Sequence, residues 1–256
     1  MWRVNAGQEP TYLFGTLHAG LRPSEIPDAV WRRLGTAAVV VTECDIREMG
    51  AGEFDELIRL PDGVSLREQV SADDWRAITH ALAGLYAPDQ IEHTQPWFLQ
   101  SRLVRSLVPD TPEMETTFVA RAEKRGSPLG FLETWQHQMR LLNDLGLRDG
   151  LKVLLEVARD EGKAESILAE WFEAYRAADA PRLTDLVLAP DQVADRPIYY
   201  DSIVFGRTAR WRVPIEAWVD TGGAFIAVGF VHMLGDRGLV SLLRRDGYDV
   251  TQVSAP

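Results

Sequence analysis

The hydrophobic positions of the chain fall into two kinds of pattern that alternate along the sequence. Short apolar runs bounded by glycine or acidic residues predict buried strands, and the clearest runs are residues 12–17, 37–41 and 225–231. A weaker run, interrupted by proline and glycine, follows at 128–132, and residues 248–253 predict a final strand. Amphipathic segments with helical spacing lie between these runs, so strands and helices are expected to alternate.

The order of these elements predicts an α/β fold. Strands that alternate with helices are typical of a mainly parallel central sheet flanked by helices. Residues 52–110 contain helical patterns and no strand, so we expect an inserted helical cap subdomain over the carboxyl edge of the sheet, within a single domain spanning 1–256. A helix is predicted to start at Thr111-Pro112-Glu113, with a capping hydroxyl and a proline in its first turn, and to stop at Gly126.

Composition narrows the class of protein. A chain of 256 residues that is 46% hydrophobic has enough apolar side chains for a full core. The formal net charge of -11 and the pI of about 5.0 argue against a nucleic-acid partner, because phosphates repel a surface of the same sign. No membrane span or export signal is visible, so we expect a soluble chain, either cytoplasmic or exported with its signal removed. Cys44 is the single cysteine, which excludes an internal disulfide and a cysteine-based zinc site.

Two distant segments share an apolar run followed by glycine, two residues and a histidine. The first ends in Gly15-Thr16-Leu17-His18 and the second in Gly229-Phe230-Val231-His232. Each histidine is therefore expected just past the carboxyl end of a strand, at the edge where open α/β sheets bind ligands. A single histidine in such a position is more often a hydrogen-bonded structural residue, but two of them can converge on one metal ion or substrate.

Two carboxylates and an arginine complete the candidate residues. Glu43 follows the strand at 37–41, and Glu133 follows the weaker strand at 128–132. Either glutamate can instead cap the helix that begins after it, since acidic residues favour helix N-termini. Arg207 lies in a helical pattern with Arg210 and Trp211, a spacing that by itself predicts a solvated cationic face.

The ordered set of these motifs resembles the TraB/PrgY/GumN family, in particular its bacterial GumN-like branch. That family is related to the TIKI metalloproteases and more distantly to erythromycin-esterase and ChaN-like proteins. The sequence departs from the usual family pattern at Thr208, where asparagine is more common after the arginine. The matching segments are Trp2-Arg3-Val4, residues 12–18, Val40-Val41-Thr42-Glu43-Cys44-Asp45, Gly130-Phe131-Leu132-Glu133-Thr134, Arg207-Thr208 and residues 227–239.

The resemblance implies a divalent-metal-dependent hydrolase, of which a peptidase is one form. It implies His18, Glu43 and His232 as metal ligands, with Glu133 as general base or fourth ligand. Arg207 would donate to a developing oxyanion or to a substrate carboxylate. Two imidazoles and one carboxylate suit Mn, Co, Zn or Fe, and such an ion lowers the pKa of its bound water.

Two other functions stay open from the sequence. The same histidines can hold a metal or haem-like ligand in a protein without catalytic activity. Alternatively, one histidine can act as the base of a metal-free, esterase-like hydrolase. The substrate, peptide or other small molecule, and the oligomeric state are not predicted by any motif.

Overall fold

The structure is a computed structural model that describes residues 1–253, except for the side chain of Ala51. The strands are β1 (Trp2–Asn5), β2 (Thr11–Thr16), β3 (Val39–Thr42), β4 (Leu129–Phe131), β5 (Ala224–Gly229) and β6 (Asp249–Gln252). The α-helices are α1 (Asp28–Thr36), α2 (Ala51–Ile58), α3 (Ala72–Ala81), α4 (Pro88–Glu92), α5 (Pro96–Ser106), α6 (Met114–Arg125), α7 (Trp135–Asn143), α8 (Gly146–Arg159), α9 (Glu161–Arg176), α10 (Ala180–Val187), α11 (Pro190–Asp195), α12 (Gly206–Thr221) and α13 (Leu239–Arg245).

The chain divides into two compact units. The first contains the whole sheet and consists of Met1–Asp45, Thr111–Thr134 and the residues from Trp171 onward. The second is formed by Ile46–Asp110 and Trp135–Glu170, whose regular structure is helical apart from one isolated bridge between Arg59 and Thr94. Within residues 1–253, no helix combines the length and the hydropathy needed to cross a membrane.

The sheet has six strands in the order β4-β3-β5-β2-β1-β6. Strands β4, β3, β5 and β2 pair in parallel, whereas β1 pairs antiparallel with both β2 and β6. The α/β fold is therefore confirmed, but the prediction of a mainly parallel sheet is wrong, because the sheet is mixed. The physical reason is the short connection between β1 and β2, which permits a hairpin and is too short for a parallel crossover.

Both faces of the sheet are covered by helices of the first unit. Alternation along β5 directs Ile226 and Val228 into one apolar cluster and Phe225 and Ala227 into the other. The first cluster includes Trp211, Ile215 and Val219 of α12, and the second includes Val30 and Leu34 of α1 with Phe118 of α6. Because both faces are buried, β5 is a continuous apolar run and not an alternating one.

The second unit has its own core. Leu99 and Leu103 of α5 and Leu154 of α8 are fully buried, together with Ile78 of α3 and Leu66. Their spacing places the apolar positions of each helix on one face, which explains the amphipathic patterns in the sequence.

The helix expected after residue 111 shows one correct and one wrong boundary. Helix α6 ends at Arg125, and Gly126 follows it with a φ of 70°, as the glycine stop signal predicts. The predicted start is wrong, because α6 begins at Met114 and Glu113 is its N-cap residue. The hydroxyl of Thr111 instead accepts a hydrogen bond from the backbone N–H of Gly20 at 2.8 Å.

Candidate functional site

Four polar side chains follow the carboxyl ends of the four parallel strands. His18 lies two residues after β2, Glu43 lies directly after β3, and Glu133 lies two residues after β4. His232 belongs to a short 3-10 helix, Phe230–Met233, that begins as β5 ends. Since parallel neighbours end at the same edge of a sheet, the topology brings residues from distant parts of the chain to one place.

Gly229 is the point around which three of these side chains converge. A Cβ atom at this position would lie 3.3 Å from Oε1 of Glu43, 3.5 Å from Cδ2 of His232 and 3.9 Å from Nε2 of His18. The missing side chain leaves space between the three groups, and any larger residue would fill that space. The glycine of the second G-x-x-H motif therefore allows the backbone to approach the carboxylate closely.

Glu43 is a buried carboxylate with two strong donors. Its Oε1 accepts a hydrogen bond from the backbone N–H of Gly229 at 2.7 Å, and its Oε2 accepts one from Nη2 of Arg207 at 2.5 Å. Burial raises the pKa of Glu43, but the charge of Arg207, with the histidines and the Gly229 N–H, outweighs burial and lowers the pKa to about 2. Glu43 is therefore ionised throughout the physiological range.

Arg207 links two of the predicted site residues. Its guanidinium binds Glu43 and also donates from Nε to Oε1 of Glu133 at 2.8 Å. The residue is only 4% exposed, so the solvated-face alternative is wrong for this arginine. The guanidinium carbon Cζ lies over the ring of Trp211, 4.5 Å from the ring centroid. Because two carboxylates hold it, Arg207 is a fixed positive charge in a buried setting.

A π-helical segment positions Arg207 and the residue after it. Residues Tyr199–Phe205 form this segment, which continues directly into α12. The N–H of Gly206 donates to the carbonyl of Asp201, five residues earlier, so the helix is locally wider than an α-helix. Such π-bulges are rare and often occur at functional sites, where they change which side chains face the site.

Thr208 sets the orientation and tautomer of His232. The Thr208 hydroxyl donates to the carbonyl of Val204 at 2.7 Å, and its oxygen lies 2.8 Å from Nδ1 of His232. Since the single hydroxyl proton goes to Val204, the threonine oxygen accepts from Nδ1–H, which leaves the Nε2 lone pair available. Burial lowers the pKa of His232 to about 4, so the ring is neutral at physiological pH. Thr208 thus has a direct role that the sequence did not indicate.

His18 has a different environment from His232. Its side chain is 68% exposed, and its Nδ1 lies 3.2 Å from Oε1 of Glu115. The negative charge of Glu115 raises the pKa of His18 above its ordinary value. The same carboxylate oxygen accepts a short hydrogen bond from the hydroxyl of Thr16, at the end of β2.

Glu115 is a site residue that sequence reasoning missed. It lies in the first turn of α6, where acidic residues ordinarily stabilise a helix N-terminus, so its position had a sufficient local explanation. Its Oε2 is buried and has no hydrogen-bond partner within residues 1–253. The same holds for Oε2 of Glu133, whose other oxygen binds Arg207. Glu133 therefore does not cap a helix in the part of the chain that the structure describes.

We call these six residues the strand-edge cluster: His18, Glu43, Glu115, Glu133, Arg207 and His232. All six belong to the first unit. The cluster combines a neutral histidine, a histidine paired with a carboxylate, and an arginine that holds two further carboxylates. Such a set can accept a proton at one atom, donate a proton at another and stabilise negative charge between them.

The predicted metal ligands do not form a ready-made metal site in this arrangement. Among residues 1–253, no group of three or more His, Cys, Asp or Glu side chains is arranged to hold a metal. Both oxygens of Glu43 already accept hydrogen bonds, one from Arg207 and one from the Gly229 N–H, so a metal ion would have to share them. Metal binding by His18, Glu43 and His232 stays a prediction.

Comparison with known families gives one match. A family model described as the TraB/PrgY/gumN family matches residues 1–252 of the chain. Neither the curated proteins nor the solved structures give a match. The matched range contains every residue of the strand-edge cluster.

Proposed function

Because the chain belongs to the TraB/PrgY/gumN family and carries this cluster at one edge of its sheet, we propose that it is a hydrolase. The observation that carries the proposal is the convergence of His18, Glu43 and His232 on the space beside Gly229. Proton acceptors and donors that meet at a glycine-lined space are the components of acid–base hydrolysis.

His232 is the proposed proton acceptor. Its Nδ1–H is held by the oxygen of Thr208, so its Nε2 has a free lone pair that can take a proton from an attacking water molecule. Its burial keeps the ring neutral and fixes its orientation before a substrate arrives. Oε2 of Glu133 is buried without a hydrogen-bond partner within residues 1–253, and we propose it as a second acceptor, the role of general base that the family resemblance implies.

His18 is the proposed proton donor. Glu115 binds its Nδ1 and favours the charged form of the ring, which leaves Nε2–H for the leaving group. Two titratable groups whose surroundings push their pKa values apart are suited to opposite roles in one reaction. The buried guanidinium of Arg207 keeps Glu43 and Glu133 in place and offsets their negative charge near the reacting atoms.

In a second form of this proposal, the hydrolase depends on a divalent metal ion. The chemical types of the donors, two imidazoles and one carboxylate, favour this form. Two imidazoles and a carboxylate would hold Mn, Co, Zn or Fe, and the ion would supply an activated water molecule and a Lewis acid. Binding would require Glu43 to release or share an oxygen that now accepts from Arg207 or Gly229.

The test uses protein purified without chelator or nickel resin and panels of peptides and carboxylic esters. We expect His18→Ala and His232→Ala to lower turnover by about 10²–10⁴-fold on any substrate found, because each removes a proton-transfer group. The control is His80→Ala, which changes an exposed histidine in the second unit and should leave turnover unchanged. Wild-type turnover in both histidine variants would contradict the proposal.

Elemental analysis and chelation of the same protein separate the two forms. In the metal-dependent form, bound ion is stoichiometric, EDTA abolishes turnover, and one of the four metals restores it. In the metal-free form, turnover survives EDTA and the purified protein holds no stoichiometric ion. Stoichiometric metal without turnover on any panel would instead support the binding-only function.

A further inference from the structure

An apolar cavity lies within the first unit, outside the strand-edge cluster. Its volume is about 380 Å³, which is in the range of small-molecule sites, roughly 300–1,000 Å³. Aliphatic and aromatic side chains form most of its wall, among them Phe14, Leu21, Ile26, Val30, Leu183 and Phe230.

The cavity lies along the same edge of the sheet as the strand-edge cluster. It is lined by the start of β1 at Trp2, by Gly15 near the end of β2, and by Gln252 at the end of β6. Because β1 is antiparallel to both neighbours, its start and their carboxyl ends share one edge. Two segments connect the two features: Phe230 lines the cavity two residues before His232, and Gly15 lines it three residues before His18.

The polar side chains of the wall already have partners. Glu25 binds Arg176 at 3.0 Å, and the Tyr175 hydroxyl donates to the carbonyl of Gly15 at 2.5 Å. The amide nitrogen of Gln252 donates to the carbonyl of Ala178 at 2.7 Å. Glu25 and Arg176 offset each other's charge, so the side chains of the wall offer a charged ligand no unpaired counter-ion for its lost hydration. An uncharged apolar group suits the interior, since it is stabilised by burial alone.

The wall also contains a strained residue. Ala178 lines the cavity and has a φ of 53°, a left-handed conformation that is unfavourable for a residue with a Cβ. Left-handed residues are common where helices end, and Ala178 follows α9 in this way, so its conformation shapes the wall without indicating a ligand.

We propose that this cavity binds the apolar alkyl or acyl group of a small, uncharged substrate whose scissile bond reaches the strand-edge cluster. The binding of an apolar molecule stands on the cavity itself, whereas its identity as part of a substrate rests on the proposed hydrolase function. The substrate class that follows is an ester or amide with a medium-length apolar acyl chain.

The binding test uses N-phenyl-1-naphthylamine, an uncharged apolar dye, and its displacement by primary alcohols from butanol to decanol. We expect the dye to bind with one site, and each added methylene should tighten alcohol binding about threefold to fourfold until the cavity is full. Ala29 of α1 and Ala180 of α10 both line the cavity, so Ala29→Phe and Ala180→Phe each place a ring in it and should weaken dye binding at least tenfold. Ala177→Phe, at an exposed residue outside the wall, is the matched control.

Hydrolysis of p-nitrophenyl esters from acetate to decanoate then connects the cavity to the reaction. We expect kcat/KM to rise with chain length in wild type and in Ala177→Phe, and to lose this dependence in the two cavity variants. His232→Ala, which removes the proposed proton acceptor and lies outside the cavity wall, should lower hydrolysis by about 10²–10⁴-fold without changing dye binding.

Three outcomes are decisive. If wild type binds no dye, or if both cavity variants bind it like wild type, the binding site is refuted. If esters are hydrolysed at rates independent of chain length, the cavity is not the substrate pocket even though the hydrolase proposal stands. If dye binding follows the expected pattern and no ester or peptide is hydrolysed, the cavity is a binding site and the hydrolase proposal fails.

Discussion

His18 and His232 occupy equivalent positions in the same motif, yet their surroundings favour opposite protonation states. Glu115 raises the pKa of the exposed His18, whereas burial lowers the pKa of His232 to about 4. A motif of glycine and histidine therefore specifies where an imidazole lies but not what it does. The residue that contacts each imidazole determines which ring nitrogen is free: Glu115 contacts His18, and Thr208 contacts His232.

The backbone of Ala178 offers a test at the scale of one residue. Ala178 follows α9 in the left-handed conformation, and the next N–H, from Asp179, donates back to the carbonyl of Ala174. Glycine is the usual residue at this position of a helix end, so Ala178→Gly should stabilise the protein by about 1 kcal/mol.

The reciprocal control is Gly126→Ala, where φ is 70° and no atom lies within 4 Å of the added Cβ. It should destabilise by about the same amount. Urea unfolding measures both; equal stability of all three proteins would contradict the strain.

At the scale of secondary structure, the π-helical segment before α12 has a specific steric requirement. A Cβ on Gly206 would lie 2.5 Å from the carbonyl oxygen of Asp201, the partner of its own N–H. Gly206→Ala should therefore destabilise the fold by about 1–3 kcal/mol and displace Arg207, the next residue. Gly35→Ala is the control, because Gly35 lies inside α1 with no atom near the added methyl. It should stabilise by about 0.5–1 kcal/mol. Thermal unfolding distinguishes the two, and a stabilised Gly206→Ala protein would rule out the tight π-bulge.

The strands were predictable because a strand buried on both faces leaves a continuous apolar run, as in β3 and β5. The direction of β1 was not predictable, because the local pattern of apolar residues contains no information about which neighbour a strand pairs with. The helix boundary at Gly126 followed from glycine chemistry, whereas Thr111 was misassigned because its hydroxyl binds the distant Gly20. Local signals predict elements, and pairing across the sequence decides their arrangement.

The candidate site likewise contains some residues that were predictable from the sequence and others that were not. His18, Glu43 and His232 were identified because each follows a recognisable strand. Glu115 lies 99 residues after Thr16, and its contacts with Thr16 and His18 depend on how α6 packs, which no short motif encodes. The sequence also assigned Glu43 to a metal without indicating that Arg207, 164 residues later, binds the same carboxylate.

At the scale of the whole molecule, the buried Glu43 predicts sensitivity to acid. Its pKa of about 2 in the folded protein lies below the ordinary 4.5, so its ionised form stabilises the fold above pH 4.5. This contribution is lost as the pH falls from about 4.5 toward 2, because the unfolded state binds the proton first, and it is on the order of 3 kcal/mol. Glu43→Gln should therefore be less stable than wild type at pH 6, the difference should fall to roughly half at pH 3, and the two proteins should be nearly equal in stability near pH 2.

Chemical unfolding of both proteins across this range provides the measurement. Glu9→Gln, which removes an exposed carboxylate, should match wild type at every pH. A stability difference between Glu43→Gln and wild type that stays constant from pH 6 to pH 3 would show that the Glu43 carboxylate does not stabilise the fold.

The position of β5 in the sheet has a consequence for how the protein is made. This strand lies between β2 and β3 and pairs with both, yet it is residues 224–229 of the chain. During translation, β2 and β3 therefore have no shared neighbour until residue 229 has been synthesised. A ribosome that stalls before residue 224 would release a chain with two unpaired apolar strand edges, which are sites for aggregation and for chaperone binding. His232 is synthesised in the same late interval, so the strand-edge cluster of a nascent chain is incomplete until its sheet can close.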